Sequence, residues 1–235
     1  MSKLRMLALA LAALGALAAP AARADAHLTL VHGLSGEPLG YDRQLPVDVY
    51  VDGVPAAQDL VFAGLVQNLL LPAGERTISI YLAAADPTIE PPLLETVAVL
   101  EDHRTAHAVA HADADGAPRL TVFSNNDTPQ LPQGPRQRRE DRLTLRHVAD
   151  VGRLAFNNLF GAVDPTAANG DTLSFDLAPR RYSWILTRAG FHEPVVGVYT
   201  RLRLRPNRQY YVYVIGSAED RSLRYRIFST PFPRP

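Results

Sequence analysis

The sequence predicts an all-β protein made of two tandem β-sandwich domains. Three observations point there. Short runs rich in Val, Leu, Thr and Tyr are broken by turn residues along most of the chain. The stretch Val47-Asp48-Val49-Tyr50-Val51-Asp52-Gly53 alternates apolar and polar residues and ends on a turn pair. The surrounding pattern then returns roughly 105 to 115 residues later, a domain-sized repeat rather than a solenoid period.

Residues 1–24 read as a cleavable signal peptide. Lys3 and Arg5 precede an apolar run from Met6 to Ala19, and Ala22-Arg23-Ala24 supplies small residues for cleavage. The run is shorter than the ~20 residues a membrane-spanning helix needs. The expected destination is periplasmic or secreted, with no transmembrane segment in the mature chain. The sequence has no cysteine, which excludes disulfides, thiolate metal sites and a lipidated cysteine anchor. An outer-membrane barrel is disfavoured because the strand-like runs are short and a proline-rich connector interrupts them.

The first domain is expected over 25–127. Its strand-like runs are Leu28–Val31, Val47–Val51, Leu65–Leu71, Thr77–Leu82, Thr96–Leu100, Thr105–His111 and Leu120–Phe123. Val47, Val49 and Val51 alternate with Asp48, Tyr50 and Asp52, the period of a half-buried strand. Asp52-Gly53 suits a two-residue hairpin turn, because both residues accept positive φ. Pro72-Ala73-Gly74 and Asp115-Gly116 mark further turns. Residues 128–141 carry three prolines, a glycine and no apolar period, which reads as a linker. The second domain is expected over 142–235. There Leu143-Thr144-Leu145-Arg146-His147 echoes Leu28-Thr29-Leu30-Val31-His32, and Tyr210–Phe228 echoes Thr105–Phe123. The Val-Asp-Val-Tyr-Val-Asp-Gly strand has no recognisable second copy; Phe156–Phe160 and Gly161–Gly170 stand in its place.

Charge is divided unevenly. Residues 25–131 hold 4 Arg and 15 acidic residues; residues 132–235 hold 17 Arg and 9 acidic residues. Such halves can attract each other or steer different partners. Lys3 is the only lysine, so the mature chain carries positive charge on arginine alone. Arg136, Arg138 and Arg139 in the linker are read as solvated rather than as a nucleic-acid patch.

His103, His107 and His111 recur at intervals of four and are followed by Asp113 and Asp115. On a helix they would present three imidazoles in a row. Their counterpart Tyr211–Ile215 is a strand pattern, and on a strand His107 and His111 would stand about 13 Å apart, too far for one ion. They are therefore read as a polar outward strand face, and His32 and His147 as structural groups near strand ends. No metal ligand, cofactor or catalytic residue is assigned. The G-x-S-x-G, G-x-G-x-x-G, phosphate-loop and H-E-x-x-H patterns are all missing.

Arg201-Leu202-Arg203-Leu204-Arg205 alternates cleanly and puts three arginines on one strand face. Arg201, Arg203 and Arg205 form the best candidate binding surface, with aromatic company from Tyr182, Trp184, Tyr210, Tyr211 and Tyr213.

These residues also carry a resemblance. The strand ending Val31-His32, the strand at 47–53 and the Pro72-Ala73-Gly74 turn resemble the bacterial extracytoplasmic family catalogued as domain of unknown function 4397. The resemblance covers 27–125 well and 142–230 more loosely, as a divergent second copy. It implies an immunoglobulin-like or prealbumin-like β-sandwich, and it implies no enzyme activity. The expected function is therefore non-enzymatic binding or scaffolding in the cell envelope. The partner would be an envelope protein or an anionic glycan; a module for an anionic glycan or a metal ion is the alternative.

Overall fold

The computed structural model describes residues 25–124, 141–157, 165–191, 194–195, 200–206 and 208–231. The expected signal peptide lies outside them, as does the expected linker apart from Asp141. Among the described residues there is no α-helix, only strands and one short 3-10 turn at Glu37–Leu39. No helix there is long and apolar enough to cross a membrane.

The first unit contains β1 (Asp25–His32), β2 (Val47–Val51), β3 (Val54–Leu60), β4 (Leu65–Pro72), β5 (Gly74–Leu82), β6 (Leu94–Leu100), β7 (Thr105–Ala112) and β8 (Pro118–Ser124). They form two four-stranded sheets, β4-β1-β7-β8 and β3-β2-β5-β6. The second unit contains β9 (Asp141–His147), β10 (Leu154–Asn157), β11 (Thr166–Ala167), β12 (Thr172–Leu177), β13 (Arg181–Arg188), β14 (Thr200–Arg203), β15 (Arg208–Ile215) and β16 (Arg224–Pro231). Its sheets are β12-β9-β15-β16 and β11-β10-β13-β14. Each strand of the second unit thus takes the sheet position of the strand eight places earlier. In both units the first strand runs parallel to the seventh: β1 with β7, and β9 with β15. That order departs from the immunoglobulin constant-type arrangement of four and three strands and fits the prealbumin-like alternative.

The local reasons are those of ordinary strand chemistry. Val47, Val49 and Val51 point into the first core, while Asp48 and Tyr50 are only half-buried on the outer face. Asp52 (φ 50) and Gly53 (φ 75) close the hairpin to β3, and the Asp52 carboxylate accepts a bond from the Thr77 N–H at 2.9 Å. β3 was not anticipated. Its sequence, Val-Pro-Ala-Ala-Gln-Asp-Leu, has low β propensity and an internal proline. It is tolerated as an edge strand, where a missing ladder donor costs little, and its pairing to β2 is broken by register shifts. β10 and β11 likewise supply the second unit's counterparts of β2 and β3 in segments without an alternating pattern.

The described residues form three cores. One fills the first unit (Leu28, Leu30, Val47, Val49, Ile78, Ile80 and neighbours). Another fills the second unit around Trp184, Phe156, Leu143, Leu145, Val212 and Val214. The third lies between the units, where Val31, Phe62 and Val109 meet Val148, Tyr211, Tyr213, Ile215 and Phe228. β7 shows how this works. Ala106, Ala108, Ala110 and Ala112 face the first core, and His107, Val109 and His111 face the other way. β15 mirrors it, with Tyr210, Val212 and Val214 inward and Tyr211, Tyr213 and Ile215 toward the first unit. Sheets β4-β1-β7-β8 and β12-β9-β15-β16 therefore pack face to face, and the molecule is a stack of four sheets.

Backbone also meets backbone across this junction, where the Gly216 N–H donates to the Gly33 carbonyl at 3.2 Å. Gly216 sits at φ 89, and a Cβ there would stand 2.7 Å from the Ser222 carbonyl oxygen. Gly216→Ala is expected to lose about 1–2 kcal/mol from the backbone conformation alone, before any clash. Chemical denaturation checks this; a variant as stable as the parent would contradict it.

Candidate functional site

Two surfaces merit description: the junction between the units, and the arginine edge of the second unit.

At the junction, Arg146 projects from β9 and is only 3% exposed. Its guanidinium carbon lies 4.5 Å above the Phe123 ring and within 6 Å of the Tyr211 and Tyr213 rings, at 5.7 and 5.5 Å. Facing aromatic quadrupoles stabilise a buried cation. The same guanidinium reaches His107 Nδ1 at 2.9 Å and also donates to the Tyr213 hydroxyl. Tyr213 in turn lies 2.6 Å from His107 Nδ1. A guanidinium can only donate, so Nδ1 must accept, and His107 is the neutral tautomer carrying its proton on Nε2. Burial holds His107 well below the ordinary histidine range, and the Arg146 charge lowers it further. Burial also pushes the Tyr211 hydroxyl up to about 12. Stacking of Tyr213 on Phe228 at 5.9 Å, and of Tyr211 on Phe228 at 5.3 Å, completes the cluster.

The histidine expectation is corrected here. His107 and His111 do share one strand face, but that face is buried against the second unit and is not a polar outer surface. Its environment is aromatic, and His111 is satisfied by Thr121 Oγ1 at 2.8 Å and the Ala112 carbonyl at 2.9 Å. Asp113 and Asp115 lie past the end of β7 in the turn to β8, and His103 sits outside any strand at φ 55. No group of three His, Cys, Asp or Glu side chains suited to a metal ion occurs among the described residues. His32 donates from Nε2 to the Leu45 carbonyl, and His147 from Nε2 to the Val151 and Gly152 carbonyls, all local structural contacts.

Beside this cluster opens a cleft of about 290 Å³ between β8 and the β12-β9-β15 face. Arg142, Thr144, Ser174, Gln209 and Tyr211 line it, with Arg146 at its floor. Asp176 holds Arg142 in a two-pronged ion pair at 2.9 and 3.1 Å. Sequence reading missed this place because its parts come from both halves of the chain. The signal available was Arg146 standing where the first half has Val31.

The arginine edge lies on the far side of the second unit. Arg201 and Arg203 are exposed on β14, the edge strand of β11-β10-β13-β14, while Leu204 is buried. Arg205 is exposed but follows the end of the strand. β14 pairs with β13 so that Arg203 faces Arg181 and Arg201 faces Ser183. Like charges directly opposite in an antiparallel pair are destabilising. Of the aromatics expected nearby, Tyr182, Trp184 and Tyr210 belong to the core, while Tyr211 and Tyr213 belong to the junction. None of them joins the arginines as a stacking platform, although Arg180 covers the Tyr182 ring at 4.9 Å.

The family described as Domain of unknown function (DUF4397) matches residues 26–154. No curated protein matches the chain. Among solved structures it is similar to the Bacillus anthracis TIE protein, at 13% identity and a TM-score of 0.24, covering 81% of this chain and 33% of that one. It therefore spans about a third of that protein. It is also similar to two structures from Bacteroides described as cell adhesion candidates. The one from Bacteroides uniformis ATCC 8492 has 9% identity and a TM-score of 0.24, covering 89% of this chain and 98% of that one. The one from Bacteroides ovatus ATCC 8483 has 10% identity and a TM-score of 0.24, covering 91% of this chain and 100% of that one.

Proposed function

We propose, from the premise that this chain belongs to the DUF4397 family of domains of unknown function, that it is a non-enzymatic binding or scaffolding protein of the cell envelope. On this reading residues 1–24 direct export, the second unit is a divergent copy of the first, and the mature protein acts in the periplasm or outside the cell. Its partner is anionic, an acidic envelope glycan or an acidic protein surface, and it is held by Arg201, Arg203 and Arg205 with Arg181.

One observation carries this reading: Arg203 stands across from Arg181 on an exposed edge strand. A fold that keeps two cations opposite each other gives up some stability. An anion laid along that edge removes the repulsion and is held by planar donors suited to carboxylate or phosphate. Exposed cations of this kind steer and retain anions in a salt-dependent way.

Retention on an immobilised acidic polysaccharide is the direct test. The parent protein should elute only when salt is raised, and Arg201→Ser/Arg203→Ser should elute at clearly lower salt with thermal stability no lower than the parent's, since the Arg203–Arg181 repulsion is removed. Co-elution of variant and parent would remove this edge from the binding surface. In-cell crosslinking would then show which other face meets a partner.

A further inference from the structure

We infer that β6 is a self-association edge, through which two copies of this chain join their β3-β2-β5-β6 sheets into one continuous eight-stranded sheet. The argument begins with hydrogen-bond direction. The Asp52 N–H donates to the Thr77 carbonyl at 2.8 Å, and the Thr77 N–H donates to the Asp52 carboxylate. Both main-chain groups of Thr77 therefore point toward β2. In an antiparallel ladder residues alternate between pairs that exchange bonds and pairs that do not. Thr77 faces Val97, so that pair exchanges none, and the N–H and C=O of Val97 point to the open side of the sheet. By the same alternation, those of Glu95 and Val99 do too. β6 is the terminal strand of its sheet, so among the described residues this side has no neighbour.

The side chains fit the same reading. Val97 and Val99 are 58% and 62% exposed, a paired apolar surface on a strand margin. Strand edges are normally guarded by charge, proline or a bulge. The other described edges carry such devices: Pro55 and register shifts on β3, a register shift at the β1–β4 pair together with Asn68 at φ 58, Pro118 and Arg119 on β8, the arginines of β14, Asp176 on β12, and Arg224, Arg226 and Pro231 on β16. β11 has two residues. β6 pairs with β5 without a shift over its whole length and has no proline; its one charged residue, Glu95, is held back toward β5, where it accepts from the Ser79 hydroxyl at 2.8 Å.

The occupant follows from the sequence of the edge. Leu94-Glu95-Thr96-Val97-Ala98-Val99-Leu100 is nearly symmetric in size about Val97. A second copy related by a two-fold axis at Val97 sets Val97 against Val97, Thr96 against Ala98, and Leu94 against Leu100. Glu95 then faces Val99, and the two Glu95 side chains stay about four residues, or ~13 Å, apart. Centring the pair on Ala98 would instead oppose Glu95 to Glu101. An isologous contact of this kind closes after two copies and forms no fibre.

The chain has no cysteine, so a single introduced one reports pairing directly. Opposed residues of a bond-exchanging antiparallel pair have Cα atoms about 5.5 Å apart, within reach of a disulfide. Val97→Cys should crosslink to a dimer under mild oxidation, and Val54→Cys, exposed on β3, should not. Sedimentation equilibrium of the parent protein should show a concentration-dependent dimer. Val97→Lys and Val97→Pro should both be monomers; the proline removes the outward N–H and fixes φ, and it takes away no ladder bond to β5. Raised salt should strengthen the dimer, because each acidic first half repels the other. A parent protein that stays monomeric at the highest attainable concentration would overturn the inference and leave the edge to a strand from another protein. So would a dimer that persists in Val97→Pro, or one in which Val97→Cys does not crosslink.

Discussion

Replacing Tyr213 with alanine is expected to cost about 3–5 kcal/mol and to split thermal unfolding into two transitions. Tyr213 is fully buried in the third core. Its ring stacks on Phe228 and faces Arg146, and its hydroxyl holds both His107 and the Arg146 guanidinium. Removing it opens a cavity at the centre of the core that couples the two sandwiches, and it leaves a buried cation with one fewer acceptor and one fewer π face. Each unit retains its own core, so each should then melt separately. Tyr213→Phe keeps the ring and removes only the hydroxyl; its cost should be about 1–3 kcal/mol. Calorimetry of the three proteins decides the matter. A single transition in Tyr213→Ala, at the temperature of the parent, would show that the junction contributes nothing to coupling.

Stability should also fall as the solution is acidified from about pH 7 to about pH 5. His32, His107, His111 and His147 are all lowered, each chiefly by burial. The folded state holds them neutral. Once unfolded, each takes up a proton near its ordinary value of about 6.5, so the unfolded chain binds more protons below that point. The stabilising contribution is therefore complete above about 6.5 and is lost as pH drops toward the folded values. Asp52 and Asp113, lowered by their hydrogen bonds and arginine partners, stabilise the fold throughout this window and lose that contribution only at more acid pH, as pH falls through the carboxylate range. Denaturant midpoints across this window test the expectation. His107→Gln should flatten the curve, and a parent protein of constant stability would contradict it.

Much of the architecture was legible from residue pattern. Val47 to Gly53, the turn at Pro72 to Gly74 and the hairpin from Thr105 to Phe123 announced themselves through alternation and turn chemistry, and each became a strand pair. β3 and β11 were invisible because edge strands are held by their neighbour's ladder and require little intrinsic propensity. The junction was misread for a different reason. Alternation of Ala with His and Val along β7 looks like a half-buried strand, with small residues inside and polar ones in water. In fact both faces are buried, since a strand sandwiched between two sheets loses the usual contrast of inside and outside. His107 and Arg146 are polar because they serve each other across a gap that only the folded chain defines. The arginines of β14 could be placed on one face from spacing alone, but the opposing Arg181 became visible only with the β13–β14 register.

The four-sheet stack sets a distance. Packed sheets stand about 10 Å apart, so the first and last layers are separated by about 30 Å, with β6 at one extreme and the arginine edge at the other. A dimer joined through β6 therefore carries two arginine edges on its outer flanks, each clear of the joint. On a long polyanion both could be engaged at once. The second contact would then be intramolecular, and retention would exceed that of one edge by the effective concentration the rigid stack imposes. The span is fixed by sheet packing rather than by a flexible tether, so under the proposed binding the dimer would respond to the spacing of charge along the polyanion.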